Sequence, residues 1–228
     1  MRLHHSMSRR SQRNQYATIL QIIVFISILT AQASWGQAES VRREQMIPIL
    51  AATTGENAIG TVVYVVVAFE QRTDRSGLQI IFHTTPGRFS RLAQTSTREA
   101  VLHTARSLDL PLDSWTLALT VPYSDVTIGG DSLSGMVALS VATLAQGHPM
   151  PSHTILTGTI TSDGSIAPVG AVPLKLKAAH TANIKRVLVS DQQMVLEAHV
   201  GISSYMQISS VRSVREAFEM IMTTSSTP

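Results

Sequence analysis

The 228-residue sequence predicts an α+β fold, a mixed sheet with hairpins and packed helices. Three observations carry that expectation. The run TVVYVVVAF at residues 61–69 is rich in β-branched side chains, which suit a pleated, buried surface. Residues 132–145 are small and apolar nearly all round, as in a helix enclosed between other elements. Turn-forming clusters such as Asp74-Arg75-Ser76-Gly77 and Ser162-Asp163-Gly164 separate strand-like runs, so hairpins replace the regular alternation of a doubly wound sheet.

Residues 1–33 stand apart from that fold. Arg2, Arg9, Arg10 and Arg13 precede an apolar run from Ala17 to Ala31, and Ala31-Gln32-Ala33 offers small residues at a cleavage spacing. This is the build of an export signal. The apolar run is shorter than the roughly 20 residues of a spanning helix, and an uncleaved membrane anchor is the alternative. The expected location is therefore exported, periplasmic or extracellular. Residues 34–57 are polar and mixed and read as a linker, which leaves 58–228 as the domain.

Within the domain, residues 61–69 and 78–83 read as strands joined in a hairpin at residues 74–77. From 88 to 108 the apolar residues Phe89, Leu92, Ala93, Ala100, Val101, Ala105 and Leu108 recur at helical spacing, and Pro111 ends that helix. Residues 115–121 give a third strand. After the helix at 132–145, strands at 154–161 and 165–169 make a second hairpin. Pro173 suits the first turn of a helix, where its missing N–H costs nothing. That helix runs to about Thr181, and a strand follows at 185–190. Asp191 is placed to cap a short helix ending near Gly201. Ser213-Val214-Arg215-Glu216 is a capping box for the last helix.

Composition removes whole classes of function. There is no cysteine, so disulfides, zinc-thiolate sites and cysteine nucleophiles are excluded. The pI of 9.6 suggests a nucleic-acid partner. Four of the eighteen Lys and Arg residues lie before residue 14, however, and the remainder carries fourteen basic against fifteen acidic side chains. The body is nearly neutral, and nucleic acid is not an expected partner. The eight histidines show no metal-ligand spacing, so neither metal nor cofactor is expected.

The reactive chemistry centres on GGDSLSG, residues 129–135. Its letters contain the GDSL signature of a class of lipases and esterases. Such an enzyme needs Ser132 early in its domain and an Asp-x-x-His downstream. Here neither Asp163 nor Asp191 has a histidine three positions on. A serine without its base is not activated, and the lipase reading fails.

Lysine supplies the other kind of base. The chain has three, Lys175, Lys177 and Lys185. Lys175 falls in the first turn of the helix that Pro173 opens, where the helix dipole disfavours a positive charge. Val172, Leu174, Leu176, Ala178 and Ala179 surround it, and burial lowers a lysine pKa toward that of a usable base. Lys177, two residues on, projects to roughly the opposite face.

At this point the chain resembles the proteolytic domain of the Lon proteases, which use a Ser-Lys dyad. GDSLS at 130–134 resembles the family's GDSAS nucleophile motif, and LTGTI at 156–160 resembles its MTGEI strand. Residues 164–180 resemble G-x-V-x-P-[VI]-G-G-[LV]-x-x-K-x-x-A-A-x, and NIKRVLV at 183–189 resembles the strand after it. The resemblance extends more loosely over about residues 58–225.

Carried across, it implies that Ser132 is the nucleophile and Lys175 the general base, which later protonates the leaving amine. It gives Thr157 a place beside the lysine and assigns oxyanion stabilisation to backbone N–H groups around Asp131 and Ser132. The implied reaction is peptide hydrolysis through an acyl-enzyme, without metal, on a peptide or unfolded protein. Family domains form rings, so a homo-oligomer is also implied. The 228 residues contain no G-x-x-x-x-G-K-[ST] loop, so ATP-independent action is expected. Departures from the pattern are Ala171 for glycine, Pro173 for a polar residue, Thr159 for glutamate and Asn183 for glycine. The alternative is a non-catalytic Lon-like domain that binds peptides or assembles with partners.

Overall fold

The structure, a computed structural model, describes residues 40–193 and 205–225. The export-signal segment and the short helix expected after Asp191 lie outside those residues. Among the described residues no helix is long and apolar enough to cross a membrane.

The first strand corrects the linker reading. Residues 41–52 form β1 (Val41–Ala52), which pairs antiparallel along its full length with β2 (Gly60–Gln71), from Val41↔Gln71 to Ala52↔Gly60. Ile47, Ile49 and Leu50 of β1 are buried. Burying an aliphatic side chain of this size is worth about 1.5–3 kcal/mol, so β1 belongs to the domain. It lies at the sheet edge, where Pro48 can be accommodated despite its missing N–H.

The sheet order also corrects the first hairpin. β3 (Gln79–Phe82) does not pair with β2. β5 (Trp115–Thr120) lies between them, antiparallel to β2 and parallel to β3, in the order β1-β2-β5-β3. Alternate residues Trp115, Leu117 and Leu119 of β5 face the core beside Val65, Val67 and Phe69 of β2. The rings of Phe69 and Trp115 meet edge-on at 5.2 Å.

Between β3 and β5 the chain forms β4 (Arg88–Phe89) and helix α1 (Arg91–Ser107). Ser90 starts α1 by accepting the Ala93 N–H at 3.1 Å. The helix ends as Asp109 takes φ +56, two residues before Pro111. β6 (Thr127–Ile128) pairs parallel with β4 and delivers the chain to helix α2 (Ser134–Ala145). Every residue of α2 from Ser134 to Leu144 is buried, which is what its lack of a polar face requires.

A second sheet is wholly parallel, in the order β11-β10-β7, from β7 (Thr154–Thr157), β10 (Arg186–Ser190) and β11 (Gln207–Val211). The strand expected at 154–161 is split at Gly158. Its second half, β8 (Thr159–Ile160), makes the expected hairpin with β9 (Ile166–Ala167). Helix α3 (Val172–Thr181) carries Pro173 in its first turn and packs on β2. At Gly60 a Cβ would come within 1.9 Å of the Leu174 carbonyl oxygen, so this contact between β2 and α3 requires glycine. Helix α4 (Val214–Ser225) closes the domain against α1 and α2. It opens as the capping-box reading requires, with Ser213 Oγ accepting the Glu216 N–H at 3.2 Å. The Glu216 carboxylate instead takes the Arg212 N–H, at 2.8 Å.

Candidate active site

Ser132 lies in the turn between β6 and α2, half-buried and two residues before the helix begins. A serine near a helix start is commonly its cap, but the N-cap here is Leu133 and no side chain caps α2. Ser132 Oγ is thus not committed to the helix. The loop that carries it is pinned at both ends. Ser90 Oγ donates to the Gly129 carbonyl at 2.7 Å, and the Gly135 N–H donates to the Gly158 carbonyl at 3.1 Å.

Inside the loop the Ser134 N–H donates to the Asp131 carbonyl at 2.9 Å. The N–H groups of Asp131 and Ser132 donate to no acceptor among the described residues. Free backbone donors beside a nucleophile are the donor type that stabilises an oxyanion.

Lys175 is 4% exposed, whereas Lys177 two residues later is exposed and lines a different hollow, beside Gly60. Burial pushes the Lys175 ammonium below its ordinary pKa of 10.5, and the attraction of Asp131 partly opposes that shift. The fold therefore brings the buried lysine within electrostatic reach of the residue adjoining Ser132. Ser132 Oγ and Lys175 Nζ do not hydrogen-bond to each other or to other described residues. Catalytic contacts are often open until substrate binds.

The α3 turn that holds Lys175 begins at Ala171, in the left-handed region at φ 60, ψ 27. The Lys175 N–H donates to the Ala171 carbonyl at 3.1 Å. Thr157, the last residue of β7, is 2% exposed and its Oγ1 has no hydrogen-bond partner among the described residues. Next along the chain comes Gly158, the residue that pins α2.

A groove of about 440 Å³ runs past the loop. One wall is a face of α1, formed by Leu92, Thr95, Ser96, Glu99 and His103. The other is the segment Thr159, Ile160, Thr161 and Ser162, with Asp131 and Ser134 completing the lining. Leu92, expected on the buried face of α1, is 57% exposed there. The sequence reading missed Glu99, His103 and Ser134. The spacing of residues 92, 96, 99 and 103 marks one helix face, but nothing in it shows that this face borders the loop of Asp131 and Ser134. His103 is the one histidine in the groove. Its Nδ1 lies 3.2 Å from the Ile160 carbonyl oxygen rather than on a carboxylate. His103 has no bond to Ser132, so an esterase-type triad is not assembled.

Comparison with known proteins gives the family. Residues 92–224 match the model of the Lon protease (S16) C-terminal proteolytic domain. The chain belongs to that family. It is 29% identical over 159 residues to the Lon protease of Nitrosococcus oceani, covering 67% of this chain and 20% of that protein. It is 37% identical over 83 residues to the Bos taurus peroxisomal Lon protease homolog 2, covering 36% of this chain and 10% of the relative. The archaeal Lon protease of Archaeoglobus fulgidus is 29% identical over 93 residues, covering 39% of the chain and 15% of the relative. The Lon-type domain therefore spans a fifth or less of each of these relatives, and the α+β architecture is that of the proteolytic part.

Proposed function

We propose that this chain is a serine endopeptidase that acts without ATP, cleaving peptide bonds through an acyl-enzyme formed on Ser132. Lys175 takes the Ser132 proton as the hydroxyl attacks the carbonyl carbon, then gives it to the leaving amine. The oxyanion forms against the free N–H groups of the 131–132 loop, and water hydrolyses the ester with Lys175 again as base. One observation carries the reading: the buried, desolvated lysine lies beside the nucleophile loop while the other lysine of its helix faces solvent. Thr157, buried and unpartnered, is assigned to hold Lys175. No metal or cofactor takes part.

The export-signal reading of residues 1–33 adds a setting in which ATP is absent, with residues 1–33 as signal or anchor. Flexible peptides or unfolded segments are then the substrates, and a homo-oligomer is the proposed assembly. The test is cleavage of unstructured casein by wild type, Ser132→Ala and Lys175→Ala. Each substitution is expected to reduce the rate by about three orders of magnitude or more. Equal cleavage by all three sinks the mechanism. The unclosed Ser132–Lys175 pair favours a second reading, a Lon-like domain that binds peptides without cutting them. Peptide binding by wild type with no cleavage would select that one.

A further inference from the structure

The groove beside Ser132 carries a charge pattern that the peptidase reading does not use. Among its described lining residues there is no lysine or arginine, yet there are two carboxylates, Glu99 and Asp131. Asp131 already interacts with Lys175. Glu99 forms no ion pair or hydrogen bond among the described residues and stands exposed on the groove wall.

The neighbouring polar groups are acceptors too. His103, one helical turn from Glu99, has Nδ1 at the Ile160 carbonyl. A carbonyl only accepts, so Nδ1 carries a hydrogen, and Nε2 of the neutral ring is an acceptor. Ser134, fully buried on the groove lining, has an Oγ with no partner among the described residues. A buried unpaired hydroxyl has lost its water without gaining a partner, a cost that a ligand donor removes. A carboxylate without a cation, an imidazole acceptor and an unpaired hydroxyl together suit an ammonium or guanidinium group.

We propose that this groove selects peptides bearing a lysine or arginine side chain close to the scissile bond, with Glu99 as its ionic partner. The proposal rests on the peptidase reading for its site and names the substrate class. Glu99 is a specificity residue, and it takes no part in the bond-breaking step.

The test separates binding from cleavage. Fluorescein-labelled Gly/Ser/Ala peptides that differ only in one central residue (Lys, Arg, norleucine or Glu) are titrated at low salt into the full chain carrying Ser132→Ala. The Lys and Arg peptides are expected to bind about fivefold tighter than the norleucine peptide. The Glu peptide binds weakest, and added salt narrows the spread. Adding Glu99→Gln, a same-sized change at an exposed helix position, removes the preference. Equal binding of all four peptides, absence of binding, or a preference that survives Glu99→Gln overturns the proposal. Wild-type cleavage of the same peptides judges the peptidase reading separately. Cutting that ignores charge keeps the peptidase and removes the selectivity; charge-selective binding without cutting does the reverse.

Discussion

The amide of Gly135 donates to the carbonyl of Gly158 at 3.1 Å, joining the first turn of α2 to the break between β7 and β8. Ser132 lies three residues before one partner and Thr157 one residue before the other. A single backbone bond thus fixes the Ser132 loop against the strand that ends in Thr157. A Cβ on Gly135 would stand 2.4 Å from that same carbonyl oxygen.

Gly135→Ala is therefore expected to break the bond and push the two segments apart. Overpacking of this kind costs about 1–3 kcal/mol, and the lost hydrogen bond adds about 1 kcal/mol. Urea denaturation measures the stability, and casein cleavage measures the effect on the loop. Gly129→Ala is the stability comparison, because a Cβ there meets nothing within 4 Å. If both variants melt alike, the close approach does not hold the loop.

Periodicity and punctuation made several elements legible from the residues alone. The alternation in β5, the unbroken apolar surface of α2 and the proline that opens α3 each have a local cause. β1 was not legible, because Val41-Arg42-Arg43-Glu44-Gln45 is polar and Pro48 interrupts the run. Its strand state comes from pairing with β2 and from three buried apolar side chains. The β2–β3 hairpin failed for a related reason. The residues at 74–77 do redirect the chain, with Arg75 and Gly77 at positive φ, but β5 arrives from later in the chain and takes the place between the two strands. The motifs drew attention to Ser132, Thr157 and Lys175, the residues on which the proposed mechanism rests. The α1 wall escaped notice because His103 meets Ile160 across 57 residues of sequence.

Ala171 gives a second prediction. An L-residue in the left-handed region costs about 1–2 kcal/mol, and Ala171 sits there at φ 60. Glycine relieves that strain but loses more chain entropy on folding, about 0.5–1 kcal/mol. Ala171→Gly is expected to stabilise the domain by roughly 0.5–1 kcal/mol in the same denaturation assay. A destabilised variant would show that the alanine methyl packs usefully where the helix of Lys175 begins.

Thr157→Val separates a positioning role from a merely structural one. Valine matches threonine in shape and removes a buried hydroxyl that has no protein partner. Stability should hold or rise by up to about 1 kcal/mol. If Thr157 holds Lys175, kcat is expected to fall about tenfold with little change in KM, and Thr157→Ser should restore part of it. Unchanged kcat in Thr157→Val removes Thr157 from the site.

Lys175 links activity and stability through one proton. Its folded pKa lies below the ordinary 10.5 because burial penalises the charge. Below that depressed value both folded and unfolded chains carry the proton, and the full cost of burying an ammonium is present. Between it and 10.5 the unfolded chain binds more protons, so stability rises with pH. Lys175→Met should then stabilise the domain at neutral pH by about 1 kcal/mol or more. It leaves no orphaned buried charge, since Asp131 is exposed. The advantage over wild type should shrink as pH rises toward 10.5. Wild-type kcat/KM should rise with pH through the depressed folded pKa and level off above it, because only the neutral amine accepts the Ser132 proton. Paired measurements of denaturation and peptide cleavage across that range test both curves against each other. A stability difference that ignores pH, or a kcat/KM that falls as Lys175 deprotonates, would remove this lysine from the role of base.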